Sequence, residues 1–317
     1  MAQAIGAQSH LIDTGLYRPG LAACYLVEDA GELAIIDTGT MHSLPHVLEA
    51  IESIGARAEQ VRYVMPTHVH LDHAGGTGQL MRACPNATLV THPKGLPHMI
   101  DPAKLQAGAT AVYGKEAFAR DFGELLAVDE DRAMAATDGE SFELGRRRIE
   151  FIDTPGHANH HGCLFDHDSG YLYTGDTFGL GYAEFRTDGD PLLVATTTPV
   201  AFDPDAWFDS LERMLALKPS ACCLTHFGRI DEPHRHVDML RASIRAHVDI
   251  ALAEESRDVE GREQRLHAAV RDLLVGAGVT HARLEETAVE AIFANDIELN
   301  AQGLSVWLAR RAKRRGD

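Results

Sequence analysis

Apolar residues recur at strand spacing through the first three quarters of the chain and at helix spacing in the last quarter. Residues 23–27 and 32–36 are strand-like runs on either side of Asp29-Ala30-Gly31, the signal of a hairpin. Ser43 then stands as an N-cap for a helix with Val47, Leu48, Ile51 and Ile54 on one face. Residues 61–65 read as a buried strand. They lead through Pro66-Thr67 into a polar stretch, a glycine-rich turn at 75–78 and a helical segment at 79–82, with a further strand at 87–91. Strands recur at 149–152, 163–165, 171–173 and 221–225, with a hairpin turn at 166–170 that makes His167 a turn residue. Asp203, with Pro204 in the first turn, opens another helix.

After Gly228 the periodicity changes. Residues 237–255, 260–275 and 284–292 read as amphipathic helices with no strand between them. The pattern is that of an α/β catalytic domain over residues 1–230 and a helical C-terminal subdomain over 231–317. Residues 94–134 interrupt it with Pro97, Pro102 and short helical stretches at 117–120 and 122–126. A connection of that length is a helical insertion near the site, acting as a lid or wall, or else a peripheral contact in a homo-oligomer.

Composition narrows the function classes. The chain has 317 residues, 29 Lys+Arg against 47 Asp+Glu, and a formal net charge of −18. Residues 231–317 hold 13 basic and 16 acidic side chains, so the remainder carries 16 against 31 and most of the excess. An acidic catalytic domain repels a nucleic-acid backbone, which argues against nucleic acid as a partner. The basic run Arg310-Arg311-Ala312-Lys313-Arg314-Arg315 reads as a solvated helix end. No apolar run approaches membrane-spanning length, and the N-terminus lacks the form of a secretory signal. The five cysteines, odd in number and without a Cys-x-x-Cys pair, point to reduced thiols and a cytoplasmic protein.

The chemistry is concentrated in His68-Val69-His70-Leu71-Asp72-His73. In an extended segment side chains two apart share a face, so His68 and His70 can grip one ion. Asp72 and His73 follow where Ala74-Gly75-Gly76 turns the chain, and so face a neighbouring point. The spacing suggests two adjacent metal ions, held where a strand gives way to a loop and a helix.

This hexad resembles the signature of the metallo-β-lactamase-fold hydrolases. Four further segments match that family's motifs in order: Ile35-Ile36-Asp37-Thr38-Gly39, Thr154-Pro155-Gly156-His157, Leu172-Tyr173-Thr174-Gly175-Asp176-Thr177 and Leu224-Thr225-His226-Phe227-Gly228. The resemblance implies a four-layer αββα sandwich. It also implies one metal on His68, His70 and His157, a second on Asp72, His73 and His226, and Asp176 bridging. Asp37 then braces the site through hydrogen bonds. His160 and His161 are extra, either orienting the ligands or capping a strand. Imidazole and carboxylate donors without thiolate suit two divalent ions, zinc first and iron or manganese otherwise.

Such a pair makes a bridging hydroxide available near neutral pH, and Asp72 is placed to shuttle a proton to the leaving group. Zinc lactamases generally lack the bridging aspartate, so Asp176 argues against lactam cleavage. The full ligand set is similar to the glyoxalase II and lactonase branches. The expected activity is hydrolysis of a small acyl substrate, a thioester or lactone, with Tyr182 either a substrate-binding residue resembling a lactonase tyrosine or an ordinary loop aromatic. The alternatives are a phosphodiesterase or ribonuclease, and a mononuclear iron persulfide dioxygenase.

Overall fold

The computed structural model describes residues 2–316, and in it the strand runs build two mixed sheets. The first takes β1 (Gln3–Gly6), β2 (Ser9–Asp13), β3 (Ala23–Asp29), β4 (Glu32–Ile36), β5 (Val61–Met65), β6 (Thr88–Thr91) and β7 (Ala133–Ala135) in sequence order. Pairing is antiparallel from β1 to β4 and parallel from β4 to β7. The second takes β8 (Ser141–Leu144), β9 (Arg147–Asp153), β10 (Gly162–Asp166), β11 (Tyr171–Gly175), β12 (Ala221–Leu224) and β13 (Gly228–Asp231), with only β11 and β12 parallel.

Side-chain alternation decides what each face meets. In β3 and β4, Cys24, Leu26, Leu33 and Ile35 point to one side. There they join Val47, Ala50 and Ile51 of α1 (Leu44–Ser53) and Leu80 and Met81 in the stretch Thr77–Ala83. Ala23, Tyr25, Val27, Ala34 and Ile36 point to the other side. They pack on Phe142, Leu144, Ile149, Phe151, Leu164 and Tyr173 of the second sheet. A strand buried on both faces reads as a continuous apolar run, which is why residues 23–27 and 32–36 show so little polar alternation.

The motif loop forms a single helical turn, α2 (Leu71–Ala74), and α3 (Thr77–Ala83) follows. The insertion folds as α4 (Leu96–Ile100), α5 (Ala103–Tyr113) and α6 (Lys115–Asp121). Phe118, Phe122 and Leu125 bury Leu71, the residue between His70 and Asp72. The insertion therefore packs against the metal motif itself.

Contacts divide the chain into two compact units. Both sheets and α1–α6 lie in the first, formed by Met1–Asp153, His160–Gly175 and Lys218–Asp231. The second unit is Thr154–Asn159, Asp176–Leu217 and Glu232–Asp317. It contains α7 (Pro204–Ala216), α8 (Val237–Ala253), α9 (Arg262–Ala282) and α10 (Glu286–Arg315). Within it Phe185 stacks on Phe293 with ring centroids 4.6 Å apart, and Trp207 is fully buried. Among the described residues no helix is long and apolar enough to cross a membrane.

The structure refines four local expectations. Ser43 stands at the N-cap of α1 but makes no cap bond there, because its Oγ accepts from Thr40 N at 3.1 Å; Thr40 in turn caps the preceding 3-10 turn by accepting from His42 N. Residues 122–126 are not helical, because Gly123 takes φ +75° directly after α6. A short strand, β13, precedes the helices; half of its four residues are charged, which hid its period. The last helix runs to Arg315 rather than 292, with Arg and Lys in its final turn as the macrodipole favours.

Candidate metal centre

Parallel strands deliver the first unit's candidate ligands at their carboxyl ends. Ile36 pairs with Met65, so Asp37 and Thr67 emerge side by side beyond β4 and β5. Thr67 donates from both its backbone N and its hydroxyl to Asp37 Oδ1, at 2.8 and 2.9 Å. Asp37 Oδ2 lies 2.8 Å from His73 Nδ1 and accepts from Thr225 Oγ1 at 2.6 Å. One fully buried carboxylate thus fastens the hexad and the last histidine motif to the same point.

His68 Nε2 and His70 Nδ1 face each other at 2.8 Å. Ligand atoms of Asp72, His73 and His226 lie within 4.8 Å of one another. Asp72 Oδ2 is 3.1 Å from His226 Nε2 and 3.6 Å from His73 Nε2. His226 Nδ1 donates to Leu21 O at 2.8 Å, which turns Nε2 inward. His161 is buried with its ring 4.8 Å from that of His68, and the His160 ring lies 5.5 Å from that of His70. Both extra histidines therefore border the rings of the hexad.

In the second unit His157 and Asp176 meet, with His157 Nε2 3.3 Å from Asp176 Oδ2. His157 Nδ1 donates to Thr196 O at 2.9 Å, and its ring sits 6.0 Å from Trp207 edge to face. Gly156, at φ +140°, brings the backbone so close to Trp207 that a Cβ would overlap it.

The donor set fits a divalent metal. His73, His157 and His226 each have Nδ1 held by a carboxylate or a backbone carbonyl, which fixes the tautomer and presents Nε2. The donors are imidazole and carboxylate with no thiolate, a set that suits zinc, iron or manganese. All five cysteines are buried, and burial pushes the Cys24 and Cys222 thiols well above the ordinary range.

Two placements add to the sequence reading. Tyr182 is buried, and its hydroxyl donates to both Asp296 oxygens at 3.0 and 3.1 Å. Tyr17, not singled out from the sequence, is half-exposed and hydrogen-bonded to Asp121 of the insertion. Burial, then the Asp121 and Asp72 carboxylates, raise its phenol above the ordinary range. No local pattern distinguishes Tyr17 from any other loop tyrosine.

Residues 17–226 match the sequence pattern of the metallo-beta-lactamase superfamily. The chain belongs to that superfamily, whose members are metal-dependent hydrolases, and its two-sheet fold with a helical C-terminal region is theirs. A metallo-beta-lactamase fold-containing protein of Sulfurisphaera tokodaii is 28% identical over 245 residues, which is 73% of this chain and 84% of that one. A hydroxyacylglutathione hydrolase of Salmonella typhi is 25% identical over 240 residues, 73% of this chain and 78% of the relative. Among solved structures, a metallo-beta-lactamase family protein from Thermus thermophilus gives a TM-score of 0.63 at 20% identity, covering 92% of this chain and 95% of that one.

Proposed function

We propose that this hydrolase cleaves a small acyl substrate, a thioester or lactone, at a centre of two divalent ions, zinc first. His68, His70 and His157 would hold one ion and Asp72, His73 and His226 the other, with Asp176 bridging. Residues 1–230 would form the catalytic domain and 231–317 a helical subdomain that contributes to substrate binding. When bound, the metals supply Lewis acidity and an activated water near neutral pH.

The chain's own residues then orient and move protons. Asp37 holds His73, and Thr196 holds His157, so that neither ring needs to reorganise. Asp72 keeps about a quarter of its side chain exposed, which lets its carboxylate carry a proton to a departing alkoxide or thiolate. Tyr182 enters as the substrate-binding residue. Its phenol can reach a substrate carbonyl only by moving its hydrogen bond away from Asp296.

The observation that carries this reading is the closure of Asp72, His73 and His226 within 4.8 Å behind one bracing carboxylate. The hydroxyacylglutathione hydrolase among the relatives supports thioester chemistry over the alternatives, and the charge of −18 disfavours nucleic acid.

The test is metal analysis of protein purified without added metal, followed by side-by-side assays of thioesters, lactones and a phosphodiester. Two ions per chain with acyl hydrolysis is the expected result. One iron per chain with sulfur-dependent oxygen uptake would overturn it in favour of the persulfide dioxygenase. Turnover of the phosphodiester alone would replace the acyl substrate.

A further inference from the structure

His157 owes its orientation to a carbonyl, Thr196 O, that belongs to an irregular segment rather than to a strand or helix. Something must hold that carbonyl still. The residues on either side of it are both tied to one side chain, Asn300 in the middle of α10. Asn300 Oδ1 accepts from Thr197 N at 2.7 Å, and Asn300 Nδ2 donates to Ala195 O at 3.1 Å. Thr197 returns a bond from its hydroxyl to Asn300 O at 3.1 Å. One amide therefore pins the peptide groups flanking residue 196 with both of its polar atoms.

The amide itself is oriented. His247, wholly buried on α8, donates from Nδ1 to Ser243 O at 2.8 Å, which leaves Nε2 as the acceptor facing Asn300 Nδ2 at 3.2 Å. A neutral ring is required for that acceptor, and burial holds the His247 imidazole down to about 4, so it is neutral at physiological pH. An acceptor opposite Nδ2 forbids the flipped amide, which would set Oδ1 against Nε2 and Ala195 O. Ser243, one turn before His247, also accepts from Ala195 N at 2.9 Å. At the next turn of α10, Gly303 lies so close that a Cβ would overlap the Thr197 carbonyl. Every bond in the series is buried or nearly so.

We propose that Asn300, held by His247, is a positioning residue for the metal ligand His157, acting through the Thr196 carbonyl. This rests on the assignment of His157 as a ligand in the proposed function. It gives two helices of the C-terminal region a role in the metal site through the Thr196 carbonyl. Outer groups that orient ligands typically change metal affinity about 10–100-fold when removed.

The experiment is an equilibrium zinc titration of apoprotein with a competing chromophoric chelator, together with the visible spectrum of the cobalt-substituted protein. Asn300→Ala is expected to weaken one of two ions by about 10–100-fold and to alter its cobalt bands, leaving the other ion within about threefold. His247→Gln, which keeps an acceptor, should retain most of the affinity, and His247→Leu should lose it. If Asn300→Ala does not fold, the His247 pair decides: equal affinity in the Gln and Leu variants overturns the proposal. His157→Ala separates the two levels of the reading. Loss of an ion in that variant with wild-type affinity in a folded Asn300→Ala defeats only the positioning role. Retention of both ions in His157→Ala defeats the ligand assignment itself.

Discussion

His73 Nδ1 lies 2.8 Å from Asp37 Oδ2, and neither side chain reaches solvent. The same carboxylate also receives Thr67 and Thr225, so it joins segments almost 190 residues apart in sequence. Asp37 takes φ +56°, a region that asparagine tolerates and alanine resists. Asp37→Asn should therefore keep the turn while placing an amide against four donor groups. The expected result is a loss of about 10–100-fold in affinity for one metal ion, read by chelator competition, with the far-UV circular dichroism unchanged. Unaltered affinity would reduce Asp37 to a turn residue.

The insertion can be tested through Phe118. Its ring is 5% exposed and packs with Phe122 and Leu125 around Leu71, in the middle of the hexad. Phe118→Ala should destabilise the protein by about 3–5 kcal/mol if the cluster cannot collapse, and by less if it does. The urea midpoint measures that loss. Because Leu71 lies between two proposed ligands, the same variant should also weaken metal binding. A stability loss with unchanged metal affinity would show that the insertion packs on the motif without shaping it.

Tyr182 offers a cleaner separation. Its hydroxyl donates to a carboxylate that is 9% exposed, and removing a donor from a buried charged acceptor costs about 1–3 kcal/mol. Tyr182→Phe should show that loss in the urea midpoint whatever its role in turnover. If the phenol also serves the substrate carbonyl, kcat/KM should fall by more than Asp296→Ala lowers it, since the alanine frees the phenol proton. Equal rates in all three proteins would leave Tyr182 a packing residue.

What the sequence revealed follows the range of the interactions involved. The hexad was legible because its four donors sit within six residues, and strand spacing alone groups His68 with His70. Asp37 was legible as a brace through the family resemblance of the turn Ile35-Ile36-Asp37-Thr38-Gly39. Ser43 was legible as the N-cap position of α1, but not that its hydroxyl would serve the preceding turn, which Thr40 caps. The strand at 228–231 was hidden because half of it is charged, and its pairing partner Cys222 supplies the order that its own residues do not. The support of Thr196 by Asn300 spans more than 100 residues and depends on an amide's orientation, which no local pattern records.

His247 gives the fold a defined dependence on pH. Its pKa falls to about 4 in the folded protein, through burial, against about 6.5 when unfolded. Between those values the unfolded chain takes up a proton that the folded chain refuses, so stability rises with pH across that window. The contribution is fully present above about pH 6.5 and is lost as the pH falls toward 4, amounting to about 3 kcal/mol over the full shift. His247→Gln removes the titrating group and keeps an acceptor for Asn300. The difference in unfolding free energy between wild type and this variant should therefore favour the wild type more at about pH 7.5 than at about pH 4.5, by up to that amount. Urea melts of both proteins at the two pH values measure it, and an offset that does not change with pH would show that the ring is not held neutral by its burial.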